Sequence, residues 1–238
     1  MDVRLYDKKT TLLRAYRIHQ STKLRMNIQD CIVCGSNLVE SFQTSDSLNY
    51  WHCNSCSTKF LDKKHHIDEN SEKKRYLEHE NIIEDKGYRN FLSKLSNPLM
   101  DKINTNAKGL DFGCGHGPAL ADILIKNKYS IDLYDPFFFP NKEIFSKTYD
   151  FITCTETAEH FFNPKKEFDL INTLLKKDGW LGVMTCFLTS HDAFDSWHYR
   201  RDPTHVVFYA EKTFEVIAKQ RDWNCEIITK DVVLFNKN

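Results

Sequence analysis

The stretch GLDFGCGHGP, residues 109–118, decides the fold of this chain. A short apolar run enters three alternate glycines, and Pro118 then opens a helical stretch over residues 119–127. Proline suits the first turn of a helix, and glycines let the backbone approach a ligand closely. Because the free amides of a helix start attract anionic groups, the pattern predicts a strand, a ligand-binding loop and a helix.

An acidic residue follows the next predicted strand. Residues 130–134 are predicted to form this strand, and Asp135 comes directly after it, 18 residues beyond Gly117. A carboxylate at such a strand end can accept both hydroxyl protons of a ribose. The dinucleotide fingerprint G-x-G-x-x-G would need a glycine where this chain has Pro118. The loop G-x-G-x-G therefore indicates a cofactor without a pyrophosphate.

The chain from residue 107 onwards resembles a known enzyme family. Predicted strands and helices alternate there, which is typical of a mostly parallel sheet covered on both faces. Residues 110–117 with Asp135 resemble the first two motifs of class I S-adenosylmethionine-dependent methyltransferases, and residues 149–156 resemble the fourth strand of that fold. The resemblance implies an α/β fold with a Rossmann-like, seven-stranded sheet. Its third-strand region must be abbreviated, because only fourteen residues separate Asp135 from Asp150.

The resemblance also assigns residues to an S-adenosylmethionine site. Four residues of the loop would shape the methionine end of the cofactor: Asp111, Gly113, Gly115 and Gly117. Asp135 would hold the ribose, and Phe137 or Phe138 are candidates for the adenine contact, with core packing as the alternative. Thr155 would lie beside the cofactor and Glu156 beside the cofactor or acceptor, at the edge where open α/β sheets bind ligands. An exposed loop carboxylate is the alternative for Glu156.

Two histidines are candidate general bases. Methyl transfer chiefly needs alignment of nucleophile, methyl group and sulfur, so a base is required only for a protonated acceptor. His160 follows the fourth strand, and His205 ends an aromatic loop over residues 197–205 that could recognise the acceptor. Alternatively, both histidines hold loops through backbone hydrogen bonds. His79 and Asn81 would reach the pocket if their segment folds back as a lid, with a solvated helix face as the alternative.

Two C-x2-C pairs predict a zinc site. Cys31 and Cys34 are separated from Cys53 and Cys56 by 18 residues, a spacing typical of four thiolates around one structural zinc ion. Four small buried thiols are the alternative. Together with the methyltransferase motifs, the pairs resemble a bacterial group of zinc-ribbon methyltransferases. We expect the sheet domain to keep its fold when the zinc site is lost, because it would have its own core.

The charge pattern divides the chain into four zones. These are a basic N-terminal extension over 1–28, a zinc ribbon over 29–62, a helical connector or lid over 63–106 and the methyltransferase domain over 107–238. The whole chain has 33 basic and 33 acidic side chains and no apolar run long enough for a membrane span. The lack of a signal-peptide pattern gives a cytoplasmic location as the expectation.

The leading hypothesis is a methyltransferase that acts on a small or carrier-linked acceptor, with zinc in a structural role. Residues 107–238 carry 16 basic against 19 acidic side chains, which disfavours an RNA methyltransferase that grips nucleic acid with the ribbon and the basic extension. A non-catalytic adaptor that keeps the fold would fail to bind S-adenosylmethionine. Sugar C-methyltransferases are similar in pairing a four-cysteine module with this fold, but they carry a further carboxyl-terminal domain. The sequence leaves the oligomeric state open.

Overall fold

The computed structural model describes residues 29–78, 82–189 and 193–238. The basic extension over residues 1–28 and the candidate lid residues His79 and Asn81 lie outside the described residues. Cys31–Asn238 form one compact unit. Within the described ranges, no helix is long and apolar enough to cross a membrane.

The described chain contains ten strands and five α-helices. The strands are β1 Val39–Gln43, β2 Asn49–Cys53, β3 Lys59–Leu61, β4 Lys108–Phe112, β5 Ser130–Tyr134, β6 Tyr149–Thr155, β7 Leu175–Met184, β8 Val207–Phe208, β9 Trp223–Thr229 and β10 Val232–Lys237. The α-helices are α1 Glu69–Leu77, α2 Lys86–Met100, α3 Ala119–Lys126, α4 Pro164–Leu174 and α5 Glu211–Arg221. Short 3-10 helices lie at Lys63–His65, Lys142–Ser146, Ala158–His160 and His198–Arg201.

The larger sheet has the strand order β5-β4-β6-β7-β10-β9. Its first four strands are parallel, and β10 and β9 are antiparallel to their neighbours. The predicted α/β class is confirmed, but the described residues contribute six strands to this sheet and not the predicted seven. Residues 136–148 form a turn and the 3-10 helix Lys142–Ser146. So short a segment has no room for a crossover and a further strand.

Local sequence fixes the elements that border the carboxyl edge of this sheet. Helix α4 begins at Pro164, and the side chain of Asn163 accepts a hydrogen bond from the amide of Lys166, as the sequence predicts for a capped helix start. The buried face of the helix contains Phe168 and Ile171. Residues 156–163 connect the end of β6 to the start of α4 and run along the carboxyl edge of the sheet.

The smaller sheet joins the cysteine module to the rest of the chain. Its order is β1-β2-β3-β8, and β8 comes from the segment between β7 and α5. Buried module residues such as Cys31 and Tyr50 belong to the same hydrophobic cluster as Leu110 of β4 and Phe168 of α4. On this face the module and the large sheet therefore share buried apolar surface, and the expectation that the sheet domain keeps its fold without zinc stays a prediction.

Candidate functional site

The loop after β4 follows a left-handed path through its glycines. Gly113 has φ 81° and Gly115 has φ 63°, values that glycine adopts without strain. The amides of Gly113 and Cys114 donate to the carbonyl of Tyr134 at 2.8 and 3.1 Å. On the other side, Thr157 Oγ1 donates to the carbonyl of Gly113 at 3.0 Å, and a Cβ on Gly113 would lie 2.1 Å from Thr157 Cγ2. The loop is thus enclosed between the ends of β5 and β6, and Gly117 leads from it into α3.

Asp111 is a buried carboxyl group just before this loop. Its side chain accepts a hydrogen bond from Thr153 Oγ1 of β6 at 2.7 Å, and the residue is 3% exposed. Burial raises the pKa of Asp111 to about 6, because the charged form loses its hydration, although the Thr153 hydrogen bond opposes the rise. A cation bound at this strand end would gain from the adjacent carboxylate.

Asp135 connects the glycine loop to the turn after β5. One carboxylate oxygen accepts from the amide of Gly115 at 3.1 Å, and the other accepts from the amides of Phe137 and Phe138 at 2.8 and 3.0 Å. These bonds occupy three of about four acceptor positions of a carboxylate. The ring of Phe138 lies 5.3 Å from that of His116 in the loop. Asp135 and the two phenylalanines therefore form one wall of the glycine loop.

Thr155 and Glu156 end strand β6 at the same edge. Glu156 has φ 47°, and its amide donates to the carbonyl of Met184 at 2.8 Å, while Thr155 Oγ1 is buried without a hydrogen-bond partner among the described residues. Burial raises the pKa of Glu156 to about 9, and the charges of Glu159 and Asp231 add to the rise. Glu156 is therefore protonated at neutral pH and can donate a hydrogen bond.

The family model described as a methyltransferase domain matches residues 84–227, more than half of the chain. The chain belongs to this family. The matched range contains the glycine loop, Asp135 and the end of β6, so the predicted class I S-adenosylmethionine-dependent methyltransferase family is confirmed. No curated protein matches the chain.

The methyltransferase is also similar to solved structures at low sequence identity. A candidate methyltransferase from Bacillus halodurans C-125 is 19% identical, with a TM-score of 0.43 over 57% of this chain and 70% of its own. The plantazolicin methyltransferase BpumL, in complex with a triazolic desmethylPZN analog and SAH, is 16% identical, with a TM-score of 0.46 over 71% of this chain and 90% of its own. Coclaurine N-methyltransferase, bound to N-methylheliamine and SAH, is 18% identical, with a TM-score of 0.41 over 58% of this chain and 48% of its own.

The methyltransferase places a buried carboxylate beside both candidate bases. Glu159 is 0% exposed, and the hydroxyl of Tyr199 donates to its Oε1 at 2.5 Å. His160 Nε2 lies 4.0 Å from the same oxygen, and the rings of His160 and His205 are 4.8 Å apart between centroids. The structure thus brings the two histidines together, whereas sequence reasoning missed Glu159 and Tyr199. The adjacency of Glu159 to His160 was the available signal.

Backbone hydrogen bonds orient both imidazole rings. His160 Nδ1 lies 3.0 Å from the carbonyl of Thr204, and His205 Nδ1 lies 2.7 Å from the carbonyl of Tyr199. Because a carbonyl oxygen only accepts, Nδ1 of each ring must carry a proton. Burial lowers the pKa of His160, which favours the neutral ring. In a neutral ring with its proton on Nδ1, Nε2 keeps a lone pair for a proton or another ligand.

Helix α1 packs against this edge of the sheet. The hydroxyl of Tyr76 donates to Glu72 Oε1 at 2.6 Å, and its ring lies 5.2 Å from that of His160 and 5.7 Å from that of Phe137. Burial raises the pKa of Glu72, with a further contribution from the charge of Asp135. Sequence reasoning pointed to later positions for the lid and missed Glu72 and Tyr76.

Arg75 ties α1 to the segment that holds His205. Its guanidinium donates to Asp202 at 2.8 Å and to Glu78 at 2.9 Å. Asp202 in turn accepts from the hydroxyl of Thr204 at 2.6 Å, next to His205. Burial would raise the pKa of Asp202, but hydrogen bonds donated by Thr204 and Arg75 hold it well below its usual range. Helix α1 and the His205 segment are therefore joined by side-chain hydrogen bonds.

The four predicted metal ligands form a compact cluster. The sulfur atoms of Cys31, Cys34, Cys53 and Cys56 all lie within 4.8 Å of one another. The distance between sulfurs is 3.7 Å for Cys31 and Cys56, and 3.6 Å for Cys34 and Cys53. Four sulfurs about 2.3 Å from one tetrahedral zinc ion would be roughly 3.8 Å apart. The donor set and its spacing fit zinc.

The cysteine cluster is attached directly to the methyltransferase fold. The hydroxyl of Thr213 on α5 donates to the carbonyl of Cys56 at 2.8 Å, and Gln220 of the same helix donates to the carbonyl of Cys34 at 2.9 Å. The hydroxyl of Thr58 donates to the carbonyl of Phe208 on β8 at 3.0 Å. Helix α5 therefore holds both C-x2-C turns, and β8 holds Thr58 after the second turn.

Proposed function

We propose that this methyltransferase transfers the methyl group of S-adenosylmethionine to a small or carrier-linked acceptor, with a structural zinc ion in the cysteine module. One observation carries the proposal. The glycine loop and the His160–His205 pair meet at one edge of the sheet, where the hydroxyl of Thr157 bonds the carbonyl of Gly113. A cofactor in the loop and an acceptor beside the histidines would then be neighbours, as direct transfer requires.

The residues at this edge have the chemistry that the cofactor needs. The left-handed backbone at Gly113 and Gly115 leaves room for a ligand against the loop, and Asp111 offers a negative charge to a cationic methionine end. Asp135 retains acceptor capacity for a ribose hydroxyl beside its three backbone bonds. We also propose Gly117 and Thr155 as cofactor contacts.

The chain's own residues would align the reactants and remove a proton. When bound, S-adenosylmethionine supplies a methyl group on a sulfonium, which is already a good leaving group. Tyr76 on α1 helps to exclude water from the pocket, and the protonated carboxyl of Glu156 can donate a hydrogen bond to the acceptor. His160 and His205 are the groups placed to accept the acceptor's proton, each through Nε2.

The surroundings of the histidines favour a small acceptor or the end of a carrier. The ion pair of Arg75 and Asp202 holds helix α1 against the segment that contains His205, which would limit the size of an acceptor there. The net charge of minus three over residues 107–238 argues against a polyanionic acceptor such as RNA. The position of the cysteines supports a structural role for zinc, because their backbone carbonyls bond to the methyltransferase fold.

Calorimetric titration with S-adenosylmethionine and S-adenosylhomocysteine tests the proposal. We expect wild-type protein to bind both and the Asp135→Asn variant to bind about 10 to 100 times more weakly, through loss of a charge-assisted hydrogen bond. Asp132→Asn is the matched control, because Asp132 lies on β5 three residues before Asp135 but bonds Lys147 and Tyr149. Absence of binding to wild-type protein at millimolar ligand would indicate a non-catalytic adaptor instead.

A further inference from the structure

The cluster of Glu159, His160 and His205 has a ligand set that proton transfer alone does not require. One nitrogen of each imidazole and one carboxylate oxygen lie within 4.8 Å of one another. Three such ligands at about 2.1 Å from one metal ion would be roughly 3 to 3.5 Å apart. Small side-chain rotations would therefore bring all three atoms onto one ion.

The buried carboxylate lacks a full complement of partners. Glu159 is completely buried, and its Oε2 has no hydrogen-bond partner among the described residues. Its other oxygen accepts from Tyr199, which carries no positive charge. A buried anion is costly unless a cation or several donors compensate it. His160 Nε2 lies 4.0 Å from Oε1, so a buried carboxylate with one unpartnered oxygen stands beside this imidazole.

The imidazoles are oriented as metal ligands usually are. Nδ1 of each ring donates to a backbone carbonyl, of Thr204 for His160 and of Tyr199 for His205. This second hydrogen bond fixes the tautomer and directs the Nε2 lone pair, an arrangement that accompanies nearly every metal-bound histidine. Tyr199 contributes twice, since its hydroxyl bonds Glu159 while its carbonyl holds His205.

We propose that Glu159, His160 and His205 bind a divalent first-row transition-metal ion in the acceptor pocket. Two imidazoles and a carboxylate leave several positions of such an ion open. The site differs in kind from the four-cysteine cluster, whose thiolates select softer ions. Its oxygen and nitrogen ligands suit Mn²⁺, Fe²⁺ or Co²⁺.

The coordination positions that the three ligands leave open on the metal ion indicate the acceptor class. A metal ion there binds an acceptor hydroxyl, or two neighbouring oxygens such as those of a diol or a hydroxy acid, and lowers the hydroxyl pKa. The role in methyl transfer rests on the proposed function, whereas metal binding itself does not. With Nε2 of both histidines bound to the ion, the metal replaces them in deprotonation. The hydroxyl proton leaves to water, the oxygen forms a bond to the methyl carbon, and the carbon–sulfur bond breaks with its electron pair remaining on sulfur. The products are a methyl ether, S-adenosylhomocysteine and one proton.

Titration with Mn²⁺ tests the site on the full chain. Electron paramagnetic resonance measures free Mn²⁺, and thiolate ligands compete poorly for this ion. We expect one bound Mn²⁺ per chain in the wild type and at least 30-fold weaker binding in His205→Gln and Glu159→Gln. His198→Gln is the matched control, because His198 is an exposed histidine in the same segment. It should bind Mn²⁺ as the wild type does.

A second measurement locates the ion without substitutions. In nuclear magnetic resonance spectra of wild-type protein, bound Mn²⁺ should broaden the imidazole signals of His160 and His205 and spare those of His198. Wild-type protein that binds no Mn²⁺ at millimolar concentration overturns the proposal, as does unchanged affinity in His205→Gln. Mn²⁺ binding without S-adenosylmethionine binding would preserve the metal site and reject the proposed function. The reverse result would reject only the metal.

Discussion

The residues that we propose for cofactor binding come mainly from one continuous stretch of chain, whereas those that we propose for acceptor binding come from separate segments. We define the cofactor half as residues 108–139, from β4 to the turn after β5. The acceptor half consists of residues 72–76 on α1, residues 156–160 after β6 and residues 193–209 after β7. The first is held by neighbouring strands, and the second depends on contacts between residues distant in sequence, such as Tyr199 with Glu159.

The cysteine module joins the second of these halves through a strand pair and hydrogen bonds, besides the apolar cluster that it shares with Leu110 of β4. Strand β3 pairs with β8 through Phe60 and Val207. The ring of Phe194 packs on that of Tyr50 at 5.0 Å, and the amide of Ser45 donates to Asp195 at 3.0 Å. The module therefore forms the base on which residues 193–209 lie. A zinc ion there would govern the acceptor side more than the cofactor side.

Loss of the zinc ligands gives the strongest test of this difference. Cys53→Ser removes one of the four ligands and should release the metal. The effect should be large, because structural zinc sites contribute about 10 to 16 kcal/mol of binding energy in small domains. Amide hydrogen exchange should then rise sharply in residues 193–209, while strands β4 and β5 stay protected. Cys225→Ser, at a half-buried cysteine of β9 outside the cluster, should change neither. Equal loss of protection in both halves would refute the separate roles.

A change in the glycine loop should affect the cofactor half instead of the acceptor half. In Gly113→Ala, the alanine would have to adopt a φ of 81°, and its Cβ would clash with Thr157 Cγ2. We expect S-adenosylmethionine affinity to fall more than about 100-fold, roughly 2.7 kcal/mol. Gly35→Ala is the matched control, because its φ is 77° but no described atom lies within 4 Å of an added Cβ. Calorimetry on both variants separates steric exclusion from backbone strain, and near-wild-type affinity of Gly113→Ala would place the cofactor elsewhere.

The same contrast explains what the sequence could predict. The glycine loop, Asp135 and the four cysteines are local patterns, so their spacing alone indicated a cofactor site and a metal site. Glu159 and Tyr199 are 40 residues apart, and no local periodicity shows that they meet. The sequence also showed that residues 136–149 were too few for the usual third-strand region. The sequence did not show that the described part of the larger sheet would have six strands.

The buried carboxyl of the cofactor half should make stability depend on pH. The folded pKa of Asp111 is about 6, above the unfolded value of 3.8. The folded state therefore binds more protons between these values, so the free energy of unfolding falls as pH rises from about 4 to 6. The free energy of unfolding should fall by about 2 to 3 kcal/mol, because a shift of one pKa unit corresponds to about 1.36 kcal/mol. Urea unfolding across this range measures it.

An isosteric change identifies the group responsible for that slope. Asp111→Asn removes this titration and should make the decrease between pH 4 and 6 shallower, leaving the part that comes from Glu156, whose pKa is also raised. Asp132→Asn should keep the decrease, because the pKa of Asp132 is lowered, with hydrogen bonds from Lys147 and Tyr149 outweighing its partial burial. An unchanged slope in Asp111→Asn would assign the effect to another carboxyl group.

Arg200 tests the contact between the acceptor half and the module with the smallest expected effect. Its side chain is 3% exposed and donates to Asp46 of the module at 2.8 Å, to Asp195 at 3.0 Å and to the carbonyl of Phe194 at 3.0 Å. Arg200→Gln leaves these acceptors short of donors, so we expect about 2 kcal/mol less stability in urea unfolding. Arg201→Gln, one position along, should change stability by less than about 0.5 kcal/mol, because Arg201 is exposed and makes one 3.4 Å bond. If Arg200 acts only on the acceptor half, S-adenosylmethionine affinity should stay within threefold of wild type in both variants. A parallel loss of cofactor affinity in Arg200→Gln would show that the two halves are one cooperative unit.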